Sequence, residues 1–443
     1  MTRRLAILVV VALLVAGAAS LPAPLAQTAT FPAVSPLQPA RPGSDRSGVS
    51  YCPWAAAGDQ RDTIVSLAST EPGSVGLSFP AGGEAGERTE LDLGGPAATA
   101  FSLRNLLQRG DAPAVVEFSD GLSAAAALVR GRGLLSGDPC PDSIPKLWQL
   151  LGGSTREGER LVLRLFNPFP EDAKVTISAV SELPGLEAPA QFEALTVASR
   201  GWRDVEVAEL LNLREQLAFT VTSGQGLVVP ALMLQSGSHQ AVWPGTGQSQ
   251  VWEFPLVRAG GLRPVLALRN AGSRDVAVDV SLFTSDGPRP VAQEVVPGNR
   301  EVRISLEGLG KGDFGVRLQA EGPVSAVLLG EGAQGRAATP GASRAARRWI
   351  APGLGAKAPV RYDLWLLNSG TEPLTVTLRP LQAGGAAGPV DKVALPAGSV
   401  RSVQITQGAM AGLVAESLRP FSLAWSAMND NDVAYLSGVP ISE

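Results

Sequence analysis

Apolar and polar positions alternate in paired short stretches that recur along the chain. LRLFNPFPEDAKVTISAV from Leu163, LALRNAGSRDVAVDVSLF from Leu266 and LWLLNSGTEPLTVTLRPL from Leu364 align without a gap over 18 residues. Each reads as a strand, an Asn-led turn and a second strand. A period of two puts one strand face in a core and the other in water. Asn167, Asn270 and Asn368 stand where the chain must turn, and Asn tolerates the left-handed backbone such turns use.

The match runs on through a middle strand motif (from Thr196, Val295 and Ala394) and a closing hairpin (from Phe219, Val316 and Leu413). From the turn Asn to the hairpin Gly226, Pro323 or Pro420 the separations are 59, 53 and 52 residues. A degenerate fourth copy lies upstream, with Ser69 in place of the Asn and Gly121 in the closing hairpin, 52 residues on. Trp54, Trp148, Trp252 and Trp349 precede the four copies at intervals of 94, 104 and 97, and read as one repeat anchor packed at each junction. Helical signal is confined to short turns at 102–107 and 208–213. A period near one hundred residues excludes short solenoid and propeller repeats. It predicts an all-β chain, a tandem array of four immunoglobulin-like or fibronectin-like β-sandwiches. Their expected bounds are 48–142 (degenerate), 143–247, 248–345 and 346–443, each folding on its own, in series as a rod.

Composition agrees with packed domains. Of 443 residues 45% are hydrophobic and 18% charged, which argues against disorder. A net charge of -4 gives no steering toward nucleic acid. Only five of the 37 basic residues are Lys, a bias of GC-rich coding rather than of an anion-binding face. Ahead of the first copy, Arg3 and Arg4 precede an uncharged run from Leu5 to Ala19 with small-residue cleavage sites at 16–19. Residues 1–26 therefore read as a signal peptide or an uncleaved membrane anchor. Pro-rich residues 27–47 read as an extended spacer. Either reading of 1–26 places the rest outside the cytoplasm, secreted or held at the outer face of the membrane. There the two cysteines, Cys52 and Cys140, at the two ends of the first unit, pair as a disulfide.

The stretch Cys140-Pro141, Trp148, Gly152-Gly153 and then L-x-L-x-N-P from Leu163 to Pro168 resembles an uncharacterised family of exported actinobacterial proteins, catalogued as a domain of unknown function. The resemblance implies an envelope location and carries over no catalytic residues.

Candidate chemistry is sparse. His239 is the single histidine and reads as an exposed linker residue, since a neighbouring Ser238 makes no triad and no GxSxG elbow exists. Ser143-Ile144-Pro145-Lys146 matches S-x-x-K without its companion motifs, and Pro145 disfavours the helix it needs. Gly308-Leu309-Gly310-Lys311 lacks the rest of a phosphate loop and reads as an inter-strand turn. Asn429-Asp430-Asn431-Asp432 lacks calcium-loop spacing and reads as a polar hairpin turn. Arg336, Arg344, Arg347 and Arg348 read as a solvated basic linker. The residue inventory thus points away from an enzyme, a metal or a cofactor. It points to a non-catalytic scaffold or adaptor binding an envelope protein or polysaccharide. The alternative is a carbohydrate-binding or adhesin module, whose candidate ligand contacts are Trp202, Trp243, Trp365 and Trp425.

Overall fold

The second repeat shows how the pattern folds. Its eight strands are Leu147–Gly153, Glu159–Asn167, Ala173–Ser181, Leu195–Val197, Gly201–Glu206, Leu217–Gln225, Val229–Ser236 and His239–Pro244. They form two antiparallel sheets of strand order 1-6-3-4 and 5-2-7-8. Side chains of both sheets share one core, with Leu150, Val175, Ile177, Phe219 and Val221 facing Leu161, Leu163, Leu165 and Leu232. The other three repeats have the same two orders; in the third and fourth, strands 6 and 7 run on as single strands, Phe314–Gly332 and Gly412–Met428. In the computed structural model residues 48–441 are described, apart from 55, 58–60, 81–83, 85, 87, 107–109, 112, 120, 132–133, 259–260, 311, 333–334, 355–359, 383–389 and 406–410. The signal or anchor (1–26) and spacer (27–47) lie outside the described residues. Among these the one α-helix is Leu103–Leu106.

The expectation of all-β repeats holds, but the immunoglobulin-like detail and the rod are corrected. Immunoglobulin sandwiches pair strands 1-2-5-4 and 3-6-7, whereas here strand 2 leaves for the second sheet and strand 3 returns to the first. The four repeats close into a propeller-like ring. Their eighth strands, Leu135–Pro139, His239–Pro244, Gly335–Pro340 and Val433–Ser437, surround one axis, each touching the next and the fourth touching the first. The first sheet of each repeat packs on the outward face of the next repeat's second sheet. Leu329 and Ala267 of the third thus enter the core of the second, and Trp365 and Leu367 of the fourth enter that of the third. Leu128 and Leu135 of the first enter that of the fourth. Strand 2 is therefore buried on both faces: from Leu161 to Asn167 every residue is inside. The expected water-facing side of these strands is the next interface. A sheet covered on both faces reads as a continuous apolar run.

The turn asparagines act through their side chains, not through a left-handed backbone. Asn167, Asn270 and Asn368 are buried. Each amide nitrogen donates to a carbonyl four residues on and to one across the core: Glu171 and Val197, Arg274 and Val296, Glu372 and Pro396. Each Oδ1 accepts the N–H two residues on, of Phe169, Gly272 or Gly370. Only an amide supplies two donors and an acceptor on so short a stem. In the first repeat Ser69 keeps part of this, its Oγ accepting the N–H of Glu71 at 3.4 Å. Asn270→Ala strands these buried partners, so we expect a loss of about 1–3 kcal/mol in a urea titration.

Trp148, Trp252 and Trp349 are a true repeat anchor. Each indole N–H donates to the carbonyl where strand 6 passes into strand 7, of Val228, Val324 and Phe421, at 3.0, 2.8 and 2.7 Å. Trp54 is not the fourth member. It packs on Val162, Ala231 and Met233 of the second repeat, and the Arg164 guanidinium lies 4.1 Å from its ring centroid.

Polar contacts differ between the interfaces. Arg164, paired with Asp204 of its own repeat, reaches the Pro53 carbonyl of the first repeat at 3.4 Å, and Glu301 accepts the Gly152 N–H at 3.2 Å between the second and third. Gly152 has φ +83°, and a Cβ there would press on Leu329 at 2.7 Å. Glu253 takes hydrogen bonds from Ser369 and Ser422 between the third and fourth. At the closing interface between the fourth and first, small residues of the first repeat, Ala68, Ala98 and Ala124, meet Ile350, Leu381 and Val414 of the fourth, and Gly412 lies against Ala68 and Ala98.

Cys52 and Cys140 are bonded and buried. The bridge ties the first strand to the segment leaving the first repeat and closes 88 residues. Reducing it is expected to lower stability by about 2–4 kcal/mol, read as a lower melting temperature with reductant than without.

Candidate functional site

The eighth strands run in one direction about the axis, so their starts meet at one end and their ends at the other, about 17 Å apart at 3.3 Å per residue. Where they end, a cavity of about 240 Å³ opens, lined by residues of all four repeats. Pro139 to Ser143 form one wall and Gly341 to Arg344 the opposite one, with Pro244 and Ser437 to Pro440 between them. Cys140 is part of the first wall, so the disulfide fixes its shape. Asp142 reaches water at the mouth but is hemmed in by protein, which raises its carboxyl above the usual range; hydrogen bonding to Ser143 and the Arg344 charge oppose this. The result is a mostly apolar, proline-rimmed recess with a carboxyl, hydroxyls and one guanidinium at its edge. It is small for a drug-sized ligand and suits a few side chains or one sugar ring of a partner.

Two other clefts, of about 280 and 370 Å³, lie beside Arg156, Arg263 and Arg303 and beside the Gly308–Gly310 turn. Each belongs to one or two repeats only. Among the described residues no three His, Cys, Asp or Glu side chains converge as a metal site.

At the other end of the axis stands Asp432. Its side chain is fully buried and accepts N–H bonds from the start of every eighth strand: Leu135 at 3.1 Å, Arg336 at 3.2 Å, Val433 at 3.0 Å, and Gln240. Gly335, at φ +131°, passes so close that a Cβ would fall 2.1 Å from Asp432 Oδ1. His239 Nδ1 is 3.7 Å from the same oxygen. Burial pushes the Asp432 carboxyl up to about 7, against the pull of its four backbone donors.

These positions correct several expectations. His239 is not an exposed linker residue but opens an axial strand. Asp432 is not part of a solvated turn; Asn429 to Asn431 make the turn and Asp432 points inward. The basic linker holds only in part: Arg336 binds Glu159 and Glu331 and Arg348 pairs with Glu416 at 2.6 Å, whereas Arg344 and Arg347 are exposed, Arg344 at the cavity. Trp243, Trp365 and Trp425 are buried, so they offer no face to a ligand; Trp202 is half-buried, 5.7 Å from the Arg164 guanidinium. Ser143 lines the cavity, whereas Lys146 is an exposed residue just before the first strand of the second repeat. The axial residues eluded the sequence because nothing local marks them. The Leu135–Asp432 bond spans 297 residues.

No curated protein matches the chain. Among solved structures it is similar to the α-L-rhamnosidase of Streptomyces avermitilis complexed with L-rhamnose, at 9% identity and a TM-score of 0.15. That likeness covers 87% of this chain and 54% of the other, and at this level carries no argument. Residues 108–406, from the first repeat into the fourth, match the model of a family of unknown function (DUF5719), and the chain belongs to that family.

Proposed function

We propose that this protein is a non-catalytic, extracytoplasmic scaffold or adaptor of an actinobacterial cell envelope, gripping a protein or polysaccharide partner at the axial cavity. The observation that carries the reading is the cavity itself, where all four repeats present their strand ends to one point. Apolar walls with a few edge polar groups suit binding, and the one carboxyl–hydroxyl contact there, Asp142 with Ser143, has no histidine or lysine beside it among the cavity's lining residues. Export is supported by Arg3, Arg4 and the uncharged run behind them, and by the disulfide. Carbohydrate recognition by a row of exposed indoles loses its residues, because three of the four are core.

A photoreactive side chain at Ser343, on the rim, is expected to crosslink an envelope component in intact cells. The same probe at Glu294, on the outer edge strand Gly287–Val296, should not. Equal labelling at both positions would refute the cavity as the binding face. A folded Ser143→Ala variant that still crosslinks its partner through Ser343 at the wild-type level yet fails to complement a deletion would refute the non-catalytic reading.

A further inference from the structure

We infer that Asp432 and His239 form a proton-operated lock on the axis, which holds the four repeats together while it carries a proton and loosens their junction when the proton leaves. One side chain accepts hydrogen bonds from all four eighth strands, so it ties all four repeats to one group. The site has no room for water to take over, since the Asp432 side chain is fully buried and Gly335 abuts it. An ionised carboxylate in such a place needs a counter-charge.

The surrounding groups leave His239 as the candidate. From the third repeat, the Arg336 guanidinium is held by Glu159 and Glu331. From the first, Arg130, cross-strand from Leu135, lies 3.8 Å from Asp62. Asp430 of the turn is exposed. His239 Nδ1 is buried without a hydrogen-bond partner and stands 3.7 Å from the carboxyl. A proton on the Asp432 carboxyl removes the charge that this site cannot solvate.

The sign of the pH effect follows. Asp432 rises from 3.8 to about 7 on folding, so the folded chain holds the proton more tightly than the unfolded chain. The lock's contribution is then full below the unfolded value and is lost as pH climbs through about 7. Near-neutral pH is where it operates.

The test uses the full-length protein. The carbon-13 signal of the Asp432 carboxyl should titrate near 7, and a midpoint in the ordinary aspartate range, about 4, overturns the lock. The urea midpoint of the wild type should fall between pH 5 and pH 8, while that of Asp432→Asn stays level. An equal fall in both overturns it. The Leu135, Gln240, Arg336 and Val433 amides should exchange faster together above pH 7, beyond the intrinsic rise with hydroxide, in the wild type only. Should Asp432→Asn fail to fold, the carboxyl titration decides alone.

Discussion

A chain ending at residue 345, without the fourth repeat, is expected to lose cooperative unfolding altogether rather than melt as a shorter version of the same protein. The deletion strips the third repeat of Trp365, Leu367 and Ala424, which complete its core. It strips the first repeat of Ile350, Leu381 and Val414, which cover Ala68, Ala98 and Ala124. It also removes Asp432 from the axis. Each large apolar side chain uncovered costs about 1.5–3 kcal/mol, and a domain has only about 5–15 kcal/mol to lose. The same reasoning reverses the expectation that one repeat folds alone. Residues 249–345 by themselves would expose Ala267, Val327 and Leu329, which belong to the core of the second repeat. A thermal scan of the truncated chain, followed by circular dichroism, should show no sharp transition; a sharp one near the full-length temperature would contradict the ring.

Asp204→Ala is expected to cost about 3–5 kcal/mol, whereas Arg164→Met should cost little, although both break the same pair. The reason is asymmetric burial: the Arg164 side chain is 1% exposed and that of Asp204 35%. Asp204 holds the guanidinium with two bonds of 2.7 Å, and the Trp54 face and the Pro53 carbonyl at 3.4 Å also contact it. Removing the carboxylate takes the bidentate counter-charge from a buried cation. Removing the arginine leaves a carboxylate that water can reach, and methionine fills the space between Trp54 and Trp202. Urea titrations of the two variants measure the difference; equal losses would mean the pair is not buried as the structure places it.

Much of the fold was legible in the sequence. Alternation gave the strands, the aligned L-x-L-x-N segments gave the repeat, and Cys52 with Cys140 gave the bridge. What alternation could not reveal was a second buried face. Leu161 to Phe166 reads as half-exposed because Arg164 breaks the run, yet Arg164 is inside and paired. Closure of the ring was illegible for a related reason. The first repeat meets the fourth partly through small residues, Ala68, Ala98 and Ala124, whose sequence signal is that of any turn or weak strand. Trp54 misled by spacing alone, standing near the interval set by three genuine anchors. His239 and Asp432 each looked solvated because their neighbours Ser238, Asp430 and Asn431 are. Their burial is decided by strands from other repeats.

Closure itself is the central claim, and small-angle X-ray scattering of residues 48–443 measures it directly. A compact body of this length has a radius of gyration of about 21 Å, and four hundred-residue units end to end about 40 Å. The ring predicts the smaller value at all concentrations; the larger would show that the first and fourth repeats do not meet.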